Sequence, residues 1–311
     1  MPQPQPERSR PARTVTPLST PSVRVMARDD LHFPLADSAL ESLVRAALEE
    51  DGAFNDVTSV ATVMSERRAR ASLVARQAGV VAGVPLAVEA FRLVDPKVAI
   101  RIDAPDGTAV RPGDVVLFVT GHARPMLAAE RVALNFLQRL SGVASLTARY
   151  VEAARGTKAR ILDTRKTTPG WRLLEKYAVR AGGGMNHRMD LASGVLIKDN
   201  HLAALDGDVA KAVRRAREIA PAGMRVEVEC ERRDQVAAAV AAGADIILLD
   251  NMTPAELKAC VELVAGRATV EASGGVSLGT VRAIAETGVD WISVGALTHS
   301  APAMDLALDF E

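Results

Sequence analysis

The sequence predicts an α/β protein in two parts: a small, mainly antiparallel sheet with helices, then a parallel (β/α) barrel. An open, doubly wound sheet is the alternative for the second part. Three observations carry this. From residue 159 onward short β-rich runs recur, each ending in polar residues, with Ala-rich helical stretches between the later ones; strand, helix, strand at that interval means parallel strands with crossover helices. Those runs are apolar on both faces, as in a covered or closed sheet. Before residue 125 the runs are separated by tight-turn signals instead, which suits antiparallel neighbours.

The elements follow in order. Residues 1–28 hold six prolines, five arginines and one glutamate with few large apolar residues, so they read as a disordered tail without the apolar core of a signal peptide. Met26 lies close to the first helical pattern and is a candidate start. From Ser38 to Glu50, Leu40, Leu43, Val44 and Leu48 recur at helical spacing, with Ser38 placed as N-cap and Gly52 just past the end. Ala71 to Gln77, Val98 to Ile102 and Val115 to Gly121 read as strands around turns at Pro105-Asp106-Gly107 and Pro112-Gly113-Asp114. A long helical pattern runs from Pro125 to Tyr150 and is expected to break around Ser141-Gly142. The β-rich runs of the barrel then end at residues 164, 200, 231, 251, 275 and 297.

Composition narrows the function. The 311 residues are 48% apolar and 3% aromatic, with 38 Lys and Arg against 38 Asp and Glu. Zero net charge argues against a nucleic-acid or membrane-surface binder, and no stretch approaches the roughly 20 apolar residues of a bilayer span. The two cysteines, Cys230 and Cys260, form neither a metal spacing nor a disulfide framework, which points to a reduced, cytoplasmic setting. No GxGxxG follows an early strand, no GxxxxGK[ST] occurs, and no serine sits in a GxSxG elbow.

Against that neutral background, Arg160 to His201 carries eight Arg and Lys against four Asp and Glu, the mark of a pocket for a small, multiply charged anion. In a parallel barrel the C-terminal strand ends converge on one face. Here they read Asp163-Thr164-Arg165-Lys166, Lys198-Asp199-Asn200, Glu229, Asp250-Asn251, Ser273-Gly274-Gly275 and Val294-Gly295-Ala296. Arg165, Arg188 and Lys198, with Lys166 and His187, suit carboxylates or phosphates. Glu229 and Asp250 suit a divalent cation or a developing positive charge, or alternatively a structural pairing with the nearby cations. The small residues of the last two strand ends suit a phosphate. The glycines at 182–184 read as a tight backbone passage, and His201 and His299 as structural histidines.

With these motifs in view, from about Leu35 to the C-terminus the chain resembles the quinolinate phosphoribosyltransferases. The resemblance rests on DTRKTTPG, EKYAVRAGGGMNHR, LIKDNH, VEVE, ILLDN and EASGG. It implies a small α/β sandwich domain (29–143), an incomplete α/β barrel of seven strands (144–297) and a C-terminal segment (298–311) packing back on the first domain. It implies phosphoribosyl transfer from 5-phosphoribosyl-1-pyrophosphate to quinolinate with loss of CO₂, Mg²⁺ as cofactor, and a homodimer whose sites take Arg131 from the neighbouring subunit. It places Thr164, Arg165, Lys166, His187, Arg188 and Lys198 around quinolinate. Glu229 and Asp250 fall near the ribose and metal, and Ser273, Gly274, Gly275, Val294, Gly295 and Ala296 on the phosphate; Lys166, Lys198, Glu229 and Asp250 carry the catalysis. Two rivals remain: a relative on the same scaffold with another acceptor, and a Schiff-base aldolase using Lys198.

Overall fold

The computed structural model describes residues 31–311; the segment read as a disordered tail, with Met26, lies outside the described residues. Helix α1 (Asp37–Glu50) occupies the first expected position, but Ser38 is not its N-cap. Ala36 is the cap residue and makes no side-chain bond, while Ser38 lies inside the first turn, where its carbonyl accepts from Ser42 Oγ at 2.8 Å. Helix α2 (Val57–Thr62) starts from a true cap, Asp56, whose carboxylate accepts from the Thr58 and Ser59 amides. Strands β1 (Arg68–Ala75) and β2 (Gly79–Val80), helix α3 (Val84–Val94), and strands β3 (Ala99–Ile102), β4 (Ala109–Val110) and β5 (Val115–His122) complete the first part.

Helix α4 (Ala123–Ala153) follows without interruption, so the break expected at Ser141-Gly142 does not occur. The small residues mark contacts instead. Ser141 Oγ accepts from the Ala82 amide at 3.0 Å, and a Cβ on Gly142 would lie 2.1 Å from the Pro302 carbonyl oxygen. The boundary drawn between residues 143 and 144 therefore falls inside one rigid helix. Helix α4 packs on α3, and one apolar cluster runs from Val44 through α4 to Leu306.

The second part comprises β6 (Arg160–Leu162), α5 (Arg172–Ala181), β7 (Val195–Ile197), α6 (Asp199–Ala203), α7 (Val209–Ile219), β8 (Val226–Cys230), α8 (Arg233–Ala241), β9 (Ile246–Asp250), α9 (Pro254–Val264), β10 (Thr269–Ser273), α10 (Val281–Ala285), β11 (Trp291–Ser293) and α11 (Ala296–His299). The six strands pair in parallel in the order β6-β11-β10-β9-β8-β7. From β7 to β11 each strand lies beside its successor, the winding of a barrel; a doubly wound sheet would reverse direction at a switch point. The expected seventh strand is reduced to Met185, a single parallel bridge to Leu162. Its amide donates to Ile161 O at 2.8 Å and its carbonyl accepts from Asp163 N at 3.2 Å.

After α11 the chain returns to the first part. Strand β12 (Leu306–Phe310) pairs antiparallel with β1, and the outer sheet reads β12-β1-β5-β3. Gln138 on α4 fastens the return, donating to Leu306 O at 2.8 Å and accepting at its backbone carbonyl from Met304 N at 2.9 Å. Replacing Gly142 by Ala drives a methyl into backbone at this crossing. Urea denaturation is expected to show a loss of about 1–3 kcal/mol, the range for overpacking a filled core; an unchanged midpoint would mean that the crossing yields freely.

Candidate active site

Because successive side chains of a strand point to opposite faces, Glu227 and Glu229 share one face of β8, Leu248 and Asp250 one face of β9, and Glu271 and Ser273 one face of β10. The register sets Glu229 beside Leu248, Leu248 beside Glu271 and Asp250 beside Ser273. These residues face inward. With the loops beyond them they enclose a cavity of about 760 Å³ at the C-terminal ends of the strands. Thr164, Arg165, Lys166, His187, Arg188, Lys198, Glu229, Asp250, Ser273, Gly274, Gly275, Val294, Gly295 and Ala296 all line it. Arg131 does not; it is exposed on α4, away from this cavity.

One wall is cationic and uncompensated. Arg165 has a buried Nε without a partner. Arg188 is anchored through Nη1 to Gly194 O at 2.9 Å, and burial, then the charge of Arg165, push its guanidinium below its ordinary value. Two guanidiniums that repel one another in a partly dry pocket are ready for a dianion, which relieves the repulsion as it binds.

Beneath this wall His187 Nε2 faces two buried carboxylates, Glu227 at 3.2 Å and Glu271 at 3.5 Å. Burial disfavours the imidazolium, yet hydrogen bonds and charge from both glutamates outweigh it and pull the ring up to about 10. The Arg188 amide, however, donates to His187 Nδ1 at 2.8 Å, which leaves no room for a proton there. The geometry decides for the neutral ring with its proton on Nε2. Burial raises the Glu227 carboxyl above its ordinary value, the hydrogen bond from His187 opposes this, and the charge of Glu271 adds to the rise. Glu271 is held from the other side by Ser293 Oγ at 2.5 Å.

The opposite wall carries the remaining carboxylates. Lys198 Nζ donates to Glu229 Oε2 at 2.5 Å, so the structural pairing weighed for Glu229 is present, and a lysine engaged in this ion pair is not the free, desolvated amine that a Schiff-base mechanism needs. Asp250 Oδ2 accepts from Asn251 Nδ2 at 2.6 Å. Asn251 also presses on the 273–275 turn: Gly274 has a φ of +89°, and a Cβ there would meet Asn251 Oδ1 at 2.2 Å. Only glycine leaves this backbone open for an anion.

Sequence reasoning passed over Glu227, Glu271 and Ser293, and named Asn251 as a strand-end residue without giving it a role. The first two were legible, since each lies two residues before a strand-end residue and therefore shares its face. His299 was read as structural but lines the cavity. His201 is structural, its Nδ1 accepting from the Lys198 amide at 2.9 Å. The glycines at 182–184 pack on α4, where a Cβ on Gly182 would lie 2.3 Å from Ala144 O.

Comparison with known proteins points to one family. Two family models match: "Quinolinate phosphoribosyl transferase, N-terminal domain" over residues 56–141 and "Quinolinate phosphoribosyl transferase, C-terminal domain" over residues 143–309. The chain is 42% identical to the probable nicotinate-nucleotide pyrophosphorylase [carboxylating] of Bacillus subtilis, covering 87% of this chain and 93% of that protein. It is 43% identical to the nicotinate-nucleotide pyrophosphorylase [carboxylating] of Mycobacterium leprae, covering 87% and 97%. The solved nicotinate-nucleotide pyrophosphorylase of Francisella tularensis superposes with a TM-score of 0.85 at 37% identity, covering 91% of this chain and 99% of that one.

The glycine cradle yields a direct test. Gly274→Ala is expected to weaken binding of inorganic phosphate by about tenfold or more, since both the left-handed backbone and the open space are lost; calorimetry with the two proteins measures it.

Proposed function

The chain belongs to the quinolinate phosphoribosyl transferase family, and on that premise we propose that it transfers the phosphoribosyl group of 5-phosphoribosyl-1-pyrophosphate to quinolinate, releasing pyrophosphate and CO₂ and forming nicotinate mononucleotide for NAD synthesis. The observation that carries the reading is the division of one cavity into an unneutralised cationic wall, Arg165 and Arg188, and a carboxylate wall, Glu229 and Asp250.

The reaction needs little covalent chemistry from the protein. Arg165, Lys166 and Arg188 grip the two adjacent carboxylates of quinolinate, and His187 gives the wall its shape. That grip points the pyridine nitrogen at the ribose. The C1–O bond to pyrophosphate breaks with its electrons leaving on pyrophosphate, while the nitrogen lone pair forms the new C1–N bond. Positive charge on the ribose during the transfer is met by Glu229 and Asp250. The ribosylated ring then accepts the electron pair of the C2–carboxylate bond as CO₂ departs, and a proton from solvent fills that position. Effective concentration and electrostatics supply the acceleration.

Magnesium fits the donor set: Glu229 and Asp250 end adjacent strands, both line the cavity, and carboxylate oxygens are its preferred protein ligands. When bound there, the ion would neutralise part of the diphosphate charge. A shared homodimeric site is supported by the place of Arg131, exposed on α4 and outside its own chain's cavity. A cytoplasmic setting is supported by the free, buried thiols Cys230 and Cys260. Among the described residues no helix is long and apolar enough to cross a membrane.

The testing experiment supplies quinolinate, the diphosphate and Mg²⁺ and follows nicotinate mononucleotide together with labelled CO₂ from the 2-carboxylate; no product, or equal turnover of nicotinate, sinks the assignment. Arg188→Ala is expected to raise the quinolinate KM by about 10- to 100-fold, the worth of a charge-assisted bidentate contact, with the KM for the diphosphate nearly unchanged. A mixture of Arg131→Ala and Lys198→Ala proteins, unfolded and refolded together, is expected to regain activity that neither shows alone, because mixed dimers contain one complete site. No recovery would place Arg131 outside the partner's site.

A further inference from the structure

Helix α5 buries two adjacent charged residues, Glu175 at 0% and Lys176 at 1% exposure. Neighbouring positions on a helix point about 100° apart, so the two side chains reach different loops. Glu175 turns to the loop after β6: its Oε2 accepts from Thr168 N at 3.0 Å and its Oε1 from Thr168 Oγ1 at 2.9 Å. From behind, Arg139 of α4 donates to the same Oε1 at 2.6 Å.

Lys176 turns to the loop after the Met185 bridge. Its ammonium pairs with Asp163, itself fully buried, and donates to His187 O at 3.0 Å. Asp163 in turn accepts from the His187 amide at 2.9 Å and from Asn186 Nδ2 at 2.5 Å. One turn earlier, Arg172 repeats the pattern, donating to Thr167 Oγ1 at 3.0 Å and to Met189 O at 3.4 Å. A single helix thus holds the loop that carries Arg165 and Lys166 and the loop that carries His187 and Arg188.

We propose that Glu175 and Lys176, with Asp163, are positioning residues for quinolinate: they set the separation of the two cationic loops that the dicarboxylate must bridge. None of the three lines the cavity, so they act through Arg165 and Arg188 and not on the ligand. Stability alone does not account for them. A buried ion pair is generally no more stabilising than well-packed apolar residues of the same volume, because removing both charges from water opposes their attraction. Burial accordingly pushes Asp163 up and Lys176 down, against their mutual attraction. What such a pair supplies is direction: the ammonium and carboxylate fix the backbone at His187 from both its N–H and its C=O. The loop before α5 is otherwise built largely from exposed residues, Lys166 and Thr168 to Gly170, with Thr298 Oγ1 donating to Lys166 O at 2.7 Å on its far side.

The inference rests on the phosphoribosyl-transfer reading above, and the test separates the two. Asp163→Asn combined with Lys176→Met removes both charges at once, leaving no lone buried ion, and cuts the link to His187 O. Thr168→Val removes only the hydroxyl contact to Glu175, on an exposed residue, so the fold is kept. With quinolinate and 5-phosphoribosyl-1-pyrophosphate varied separately, both variants are expected to raise the quinolinate KM about tenfold, the scale of a slightly misplaced binding group. The KM for the diphosphate should stay within about twofold, since its cradle is built on β10 and β11. A residue that only stabilises the fold would instead lower the melting temperature and the active fraction, with both KM values unchanged. That result in either variant overturns the proposal. Absence of turnover in the unsubstituted protein refutes the reading on which it rests.

Discussion

Two guanidiniums, Arg165 and Arg188, must stand close together without a counter-ion until a dianion arrives, and the rest of the structure depends on enforcing that arrangement. Left to themselves, flexible loops would let the arginines swing apart into water, where their repulsion vanishes. The chain prevents this with polar contacts one layer below: the ion pairs of Lys176 with Asp163 and Arg139 with Glu175, and His187 held between Glu227 and Glu271. Charges that are satisfied underneath allow charges to remain unsatisfied above.

That lower layer needs a rigid base, which α4 supplies. The helix spans both parts of the molecule, packs on α3, and sends Arg139 to Glu175, to Thr298 O and to Ala301 O. The close approach at Gly142 lets the chain after α11 cross the helix and continue into β12, whose pairing with β1 closes the first sheet. The phosphate-side residues at 294–296 are therefore tied through the same short segment to the sheet of the first part. The two parts share α4 and one core, and movement of either against the other would displace site residues.

Much of this was legible in the sequence. The six barrel runs, the first and the long helix, the three main strands of the first part, and the convergence of strand-end residues on one cavity follow from periodicity and from the geometry of parallel strands, whereas helices α2 and α3 were not read. What escaped has identifiable physical reasons. Ser141-Gly142 resembles a helix break because small residues are poor helix formers, yet tertiary contacts with Ala82 and Pro302 require them there. The seventh strand has no extended run because Met185 contributes a single bridge between a glycine passage and a binding loop. Ser38 has the right chemistry for a cap but lies two positions past Ala36, where the helix begins. Glu227 and Glu271 were hidden in plain alternation, since a carboxylate inside a strand, one layer below its end, carries no turn or loop signal to mark it. The grip of Glu175 and Lys176 could not be read, because a charged pair on a helix normally signals a solvated face.

The inward layer also explains why the barrel is shaped as it is. A closed parallel barrel normally fills its interior with branched apolar side chains, and such packing contributes much of its stability. Here the inward positions of β8, β10 and β11 hold Glu227, Glu229, Glu271 and Ser293, and a cavity takes the space above them. An interior of this kind cannot stabilise itself by apolar burial, and each carboxylate there needs a partner to offset its desolvation. His187, Lys198 and Ser293 are those partners. Their presence obliges the strands to stay in register, because a shift by one residue would turn the glutamates outward and separate them from these partners. The polar interior that weakens the barrel as a core is thus what fixes its geometry as a site.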